Sequence, residues 1–196
     1  SITRSSSPLR VALLDLNADG KLDLVIEDRS APTLRIAFYD VAKNGYPSDD
    51  ILALGVPMGG AAGPMSIGDL DGDGRPDLVV PVESTSAIRT FLSTDAQAIA
   101  PRQVATCTGP RAVTITDVDC DGRNDLAVVC VSGTKVKLQM LLQQNDRSFV
   151  EGYVFDLRTA IVDANDIAIG DASGDGRPDV AIASSYGISY LTNDSR

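Results

Sequence analysis

One ten-residue pattern occurs four times in this chain, and few folds can accommodate it. The copies are Asp15-Leu16-Asn17-Ala18-Asp19-Gly20-Lys21-Leu22-Asp23-Leu24, Asp69-Leu70-Asp71-Gly72-Asp73-Gly74-Arg75-Pro76-Asp77-Leu78, Asp117-Val118-Asp119-Cys120-Asp121-Gly122-Arg123-Asn124-Asp125-Leu126 and Asp171-Ala172-Ser173-Gly174-Asp175-Gly176-Arg177-Pro178-Asp179-Val180. Each has oxygen-bearing side chains at positions 1, 3, 5 and 9 and Gly at position 6. Alternate residues of a curling loop can aim their side chains at one point, and Gly permits the positive φ needed to double back. Hard cations such as Ca²⁺ take six to eight oxygens, carboxylates above all. The spacing therefore predicts a Ca²⁺ loop in each copy.

The expected ligands are Asp15, Asn17, Asp19 and Asp23 in the first loop and Asp69, Asp71, Asp73 and Asp77 in the second. In the third they are Asp117, Asp119, Asp121 and Asp125, and in the fourth Asp171, Ser173, Asp175 and Asp179. Lys21, Arg75, Arg123 and Arg177 at position 7 are expected to add a backbone carbonyl, with the charged side chain pointing to water. Up to four Ca²⁺ ions result. A plain Asp-Gly hairpin turn explains one Asp-Gly step, but not three or four carboxylates that repel one another unless compensated.

The flanks exclude an EF-hand, which needs Glu at position 12; Ile26, Val80, Val128 and Ile182 stand there. Apolar, β-branched runs precede and follow each loop, as in Val113-Thr114-Ile115-Thr116 and Leu126-Ala127-Val128-Val129. These read as strands, so each loop joins two strands of an antiparallel hairpin.

The loops begin at 15, 69, 117 and 171. Repeats near 50 residues point to propellers or solenoids. Each repeat holds a first strand into the loop and a second out of it. Third strands are Leu34–Tyr39, Ile88–Leu92, Val136–Leu141 and Ile188–Leu191; fourth strands are Ile51–Leu54, Val104–Thr106 and Tyr153–Leu157. The fold class is all-β, a β-propeller of four-stranded antiparallel blades, with the first strand, read as the most apolar, lining the centre. One domain spans 1–196, with blades at about 9–58, 64–108, 111–158 and 165–196.

With its four D-x-[D/N/S]-x-D-G-x-x-D loops and flanking strands, the chain resembles the FG-GAP or VCBS repeats of integrin α-subunit propellers and of propeller lectins. Integrin-like members have seven blades, whereas four are coded here. The fourth repeat ends without a fourth strand, so two arrangements stay open. Residues 1–7 supply the missing strand and close a four-bladed ring, or the blades belong to a larger propeller or a homo-oligomer. Loops between first and second strands share one face with those between third and fourth. The opposite face carries Glu27–Thr33, Glu83–Ala87, Ser132–Lys135, Ser184–Gly187, Pro57–Pro64, Thr108–Ala112 and Thr159–Asp166. The resemblance implies that a protein or glycan ligand binds there.

Composition narrows the rest. The net charge of −10 argues against nucleic acid. Fourteen of the 27 acidic residues are loop ligands, three each in the first and fourth loops and four each in the second and third. Four Ca²⁺ ions would bring the charge to about −2, so the acidity reflects the loops. No apolar run reaches the roughly 18 residues of a transmembrane span. The chain opens Ser1-Ile2-Thr3, read as a mature or trimmed product without a signal peptide.

Histidine is absent, which removes the commonest general base. Cys107 and Cys130 fall on the face opposite the loops, where a disulfide and two free thiols are both open; Cys120 sits in the third loop as a non-ligand with a backbone like that of Gly72. Asn193-Asp194-Ser195 matches a glycosylation acceptor by chance composition, and Arg-Gly-Asp does not occur.

Tyr186 is the aromatic expected on the ligand face. Phe38, Tyr39, Phe91, Tyr153, Phe155 and Tyr190 are expected to pack between blades, and Arg35, Arg89 and Lys137 to form a solvated stripe. The first functional expectation is a secreted or cell-surface binding or adhesion module with structural Ca²⁺, and not an enzyme. The alternatives are a glycan-binding propeller lectin and part of a Ca²⁺-dependent polysaccharide-degrading enzyme.

Overall fold

The computed structural model describes residues 8–28, 34–47, 51–54, 64–93, 102–157 and 164–193. They form four antiparallel sheets, one per repeat. The first contains β1 (Pro8–Leu14), β2 (Asp23–Asp28), β3 (Leu34–Ala37) and β4 (Ile51–Leu54), hydrogen-bonded in chain order. The second contains β5 (Ser66–Gly68), β6 (Asp77–Val82), β7 (Ala87–Phe91) and β8 (Arg102–Ala105), with a 3₁₀ turn at Glu83–Thr85. The third contains β9 (Pro110–Thr116), β10 (Asp125–Ser132), β11 (Lys135–Gln143) and β12 (Phe149–Leu157). The fourth has three strands among the described residues, β13 (Asp166–Gly170), β14 (Asp179–Ser184) and β15 (Gly187–Leu191). Residues 1–7 and the segments 29–33, 55–63 and 158–163 of the expected ligand face lie outside the described residues.

Register follows from the loops. Position 1 of each pattern ends or follows the first strand and position 9 opens the second, so Leu14 pairs with Asp23, Gly68 with Asp77, Thr116 with Asp125 and Gly170 with Asp179. In β6, Pro81 cannot donate to a ladder. On the β5 edge nothing is lost, because β5 pairs with β6 only from Asp77 to Val79.

Consecutive sheets pack face to face. Leu14, Val25 and Ile36 of the first meet Leu78, Val80 and Phe91 of the second. Val79 and Ile88 on the second sheet's other face, with Leu70 of its loop, meet Leu126, Val128 and Leu141 of the third. Val129, Leu138 and Met140 then meet Ile167, Val180 and Ile182 of the fourth. The strand following each loop is the most buried element, not the first strand of the repeat: β6 is buried throughout and β10 over all but Ser132. These two strands are covered on both faces and paired on both edges, which is where unbroken apolar runs belong. Val11, Leu13 and Ile67 on first strands are 62%, 54% and 42% exposed.

Other packing expectations also need correction. Phe38 and Phe91 are buried, but Tyr153, Phe155 and Tyr190 are about half exposed; the first two lie on β12, the outer strand of its sheet. Arg35, Arg89 and Lys137 are half-buried rather than a solvated stripe, because the middle of a third strand lies inside the stack.

Cys107 and Cys130 form a disulfide, Cα atoms 6.0 Å apart, joining the segment after β8 to β10. Beside it, Gly109 accepts the Val131 amide at 2.7 Å. A Cβ on Gly109 would stand 2.2 Å from the Val131 carbonyl oxygen, at φ +74°, so Gly alone fits this crossing. The disulfide closes a 23-residue separation, worth about 3 kcal/mol in loop entropy. Cys130→Ser is expected to lower the melting temperature by about 6–12 °C in a domain of this size, read by circular dichroism; an unchanged melting curve would remove the bond from the stabilising contacts. A disulfide is consistent with an extracellular protein. Among the described residues, no helix is long and apolar enough to cross a membrane.

Candidate metal centres

The four loops share one hydrogen-bonded cradle. At position 1, one carboxylate oxygen of Asp15, Asp69, Asp117 and Asp171 accepts the position-5 amide at 3.0–3.1 Å, and the other accepts the position-6 Gly amide at 2.8–2.9 Å. At position 3, Asn17, Asp71 and Asp119 accept the position-5 amide at 3.2 Å. At position 5, Asp19, Asp73, Asp121 and Asp175 accept the position-7 amide at 2.8–2.9 Å. These bonds curl the backbone so that the carboxylates turn inward.

Position 6 has φ between +80° and +86° in all four loops, and position 4 is also left-handed: Ala18 +56°, Gly72 +76°, Cys120 +62°, Gly174 +80°. Cys120 therefore shares the conformation of Gly72, and its thiol is free and exposed.

Position 9 does more than close a ligand shell. Asp23, Asp77, Asp125 and Asp179 are at most 2% exposed. One oxygen of each accepts the amide of position 2: Leu16 at 3.0 Å, Leu70 at 2.7 Å, Val118 at 3.1 Å, Ala172 at 3.1 Å. The other accepts the amide of Tyr39, Ser93, Gln143 or Asn193, at or just past the end of the third strand, at 2.7–3.0 Å. The aspartate thus staples its loop to the third strand.

Burial pushes the Asp23, Asp77 and Asp125 carboxyls above the ordinary aspartate range, aided by the other loop carboxylates and opposed by the two amides. Asp179 moves the other way, down to about 2; the Asn193 amide contributes most, with the Tyr190 hydroxyl (2.9 Å) and the Ser173 and Ala172 amides. Without a metal, three of the four staples are therefore easier to protonate than an ordinary aspartate. A cation at the loop favours the ionised form.

Carboxylate oxygens of Asp69, Asp71 and Asp77 lie within 4.8 Å of one another, as do those of Asp117, Asp119 and Asp125. Oxygens about 2.4 Å from a shared ion have that spread. These two clusters could hold a metal ion, and all-oxygen donors suit a hard one. In the first and fourth loops Asn17 and Ser173 replace the middle carboxylate.

The position-7 arginines stay partly in water but also lie beside loop carboxylates. Arg75 and Arg177 approach the position-5 carboxylates of Asp73 and Asp175 at 3.8 Å. Arg123 pairs with Asp121 and also donates to the Gln143 carbonyl at 3.0 Å and to Asn145 at 3.2 Å. Crowded carboxylates draw the nearest cation over themselves. Lys21 remains exposed.

Three residues that the loop pattern does not single out tie the second loop to the third sheet. Asn124 donates to the Asp69 carbonyl at 2.6 Å, Gln143 to the Leu70 carbonyl at 2.7 Å, and Arg147 to the Asp71 carboxylate at 2.7 Å. Asn124 had a signal in the chain, as the one amide side chain at position 8, where Leu22, Pro76 and Pro178 stand. Gln143 and Arg147 had none.

A search of characterised proteins returned no match. A family profile described as FG-GAP-like repeat matches residues 15–80, 69–128 and 117–182, each match running from one loop into the strand after the next. Three successive matches covering 15–182, on four sheets that each carry one of these loops between their first two strands, place the chain in the FG-GAP-like repeat family.

Proposed function

We propose that this chain is a Ca²⁺-stabilised propeller module for extracellular binding or adhesion, non-catalytic, with an ion in each of the four loops. The carrying observation is the repeated cradle, in which loops from four sheets hold their position-1 and position-5 carboxylates with the same amide bonds. The ligands would be the side chains at positions 1, 3, 5 and 9 and the carbonyls of Lys21, Arg75, Arg123 and Arg177. The ions are structural in this reading, and a protein ligand takes the opposite face, where Tyr186 is 74% exposed.

The sheets would be blades around an axis. Arg10 on β1 donates to the Met65 carbonyl before β5 at 3.2 Å and pairs with Asp166 on β13 at 3.4 Å, so it reaches from the first repeat to the second and the fourth. That contact favours a closed four-bladed ring. Val11 and Leu13 on the first sheet, and Ile188 (78% exposed) and Tyr190 on the fourth, are the faces that closure or further blades would cover.

Glycan binding is the second reading. A cleft of about 670 Å³ between the second and third sheets is lined by Arg102, Gln103, Gln139, Glu151 and Phe149 among others, a mixture of polar planar groups and one ring. Elemental analysis after dialysis against Ca²⁺ tests the first reading: up to four ions per chain are expected, and none would overturn it. A glycan array in Ca²⁺ separates the second, because a protein-binding module leaves the array blank.

A further inference from the structure

We propose that Arg147 is a built-in competitor for the second loop, its guanidinium holding the Asp71 oxygen that Ca²⁺ would take. The proposal rests on the Ca²⁺ reading above. Asp71 has two carboxylate oxygens, and both are engaged. Oδ1 accepts the Asp73 amide at 3.2 Å, and Oδ2 accepts Arg147 Nη1 at 2.7 Å. The same carboxylate is one of the clustered three in its loop. In the third loop, Asp119 Oδ1 accepts the Asp121 amide at 3.2 Å, and among the described residues no guanidinium lies on Asp119. The two loops have the same acidic residues at positions 1, 3, 5 and 9. At position 3, Arg147 sets them apart.

The competitor is delivered by a neighbouring sheet, not by the loop itself. Arg147 sits in the turn between β11 and β12 with φ +62°. That turn is closed by the Gln144 amide on the Ser148 carbonyl and by the Arg147 amide on the Gln144 carbonyl, both 2.8 Å. A left-handed backbone is unfavourable for a non-Gly residue, so the turn presents this side chain against a local preference. Asn124 and Gln143 anchor the second loop's backbone to the same sheet, so the guanidinium and the carboxylate stay registered.

A divalent ion and a guanidinium on one oxygen repel each other, and each displaces the other. Ca²⁺ entry at the second loop therefore releases the Arg147 turn from the second sheet. By linkage, whatever draws Arg147 away tightens the second loop's hold on Ca²⁺ by the same factor.

The test is a site-resolved Ca²⁺ titration by ¹⁵N NMR. It follows the amides of Gly74 and Gly122, which donate to Asp69 and Asp117 at 2.8 and 2.9 Å. Arg147→Gly suits the positive φ and keeps the turn. The Gly74 midpoint is expected to fall about tenfold in free Ca²⁺, with the Gly122 midpoint unmoved. Arg102→Gln removes an exposed charge lining the same cleft and is expected to change neither midpoint. A Gly74 midpoint that stays or rises in Arg147→Gly overturns the proposal, as does an equal shift at Gly122 or the same effect from Arg102→Gln. If neither glycine of the unsubstituted protein responds to Ca²⁺, the Ca²⁺ reading falls too; if both respond and Arg147→Gly changes nothing, only the competition falls.

Discussion

Excess EGTA is expected to lower the melting temperature of this protein by about 10–20 °C relative to Ca²⁺ at a hundred times its dissociation constant. Each filled loop adds about 2.7 kcal/mol under that condition. Two filled loops alone give about 5 kcal/mol, and a chain of this size shifts by about 2–4 °C per kcal/mol. The physical origin is the crowding of the loops. The second and third each bring four aspartates together, and burial makes the charged form of three staple carboxylates costlier to hold when no ion is present. The unfolded chain disperses these charges and gathers no site, so the ion binds the folded form alone. Paired calorimetric scans in Ca²⁺ and in EGTA check this. Superimposable scans would mean that the loops hold themselves together through their own amide bonds.

Two substitutions in the second loop separate metal binding from scaffolding. Asp77→Ala is expected to destabilise the protein by about 2–6 kcal/mol even in EGTA, because it orphans the Leu70 and Ser93 amides, each worth about 1–3 kcal/mol when buried. Asp73→Ala removes a position-5 carboxylate whose backbone bond is to the exposed Arg75 amide. Its effect should be small in EGTA and appear in Ca²⁺, as the loss of one site. Urea unfolding of both variants in both conditions gives four values. Equal losses for the two variants in EGTA would show that position 9 has no stapling role beyond that of position 5.

The loop pattern, the hairpins on either side of it, the four-sheet organisation and the strand order were all legible in the chain. Each is set by neighbours in sequence. Carboxylates at alternate positions and a left-handed glycine determine the turn within ten residues, and the turn brings the apolar runs beside it together as a hairpin. The stapling role of Asp23, Asp77, Asp125 and Asp179 was half visible, as an acidic residue at position 9. Its second bond partner lies 14 to 18 residues away, past the third strand, where no local pattern reaches.

Tertiary structure alone decided how the repeats meet. β6 and β10, the strands after the second and third loops, became the most buried because each is sandwiched between two other sheets, a consequence of stacking that one repeat does not encode. The position-7 arginines were expected in water, yet Arg123 lies over Asp121 and reaches Gln143 and Asn145. Arg147, with no motif around it, reaches Asp71, 76 residues earlier in the chain. Cys107 and Cys130, read as either bonded or free, were joined because the sheets carrying them stand 6.0 Å apart at those Cα atoms. Local chemistry specifies a loop through the spacing of its own atoms. A contact between sheets depends on how two separately folded surfaces are set against each other, and in this chain it took the packed stack to fix that distance.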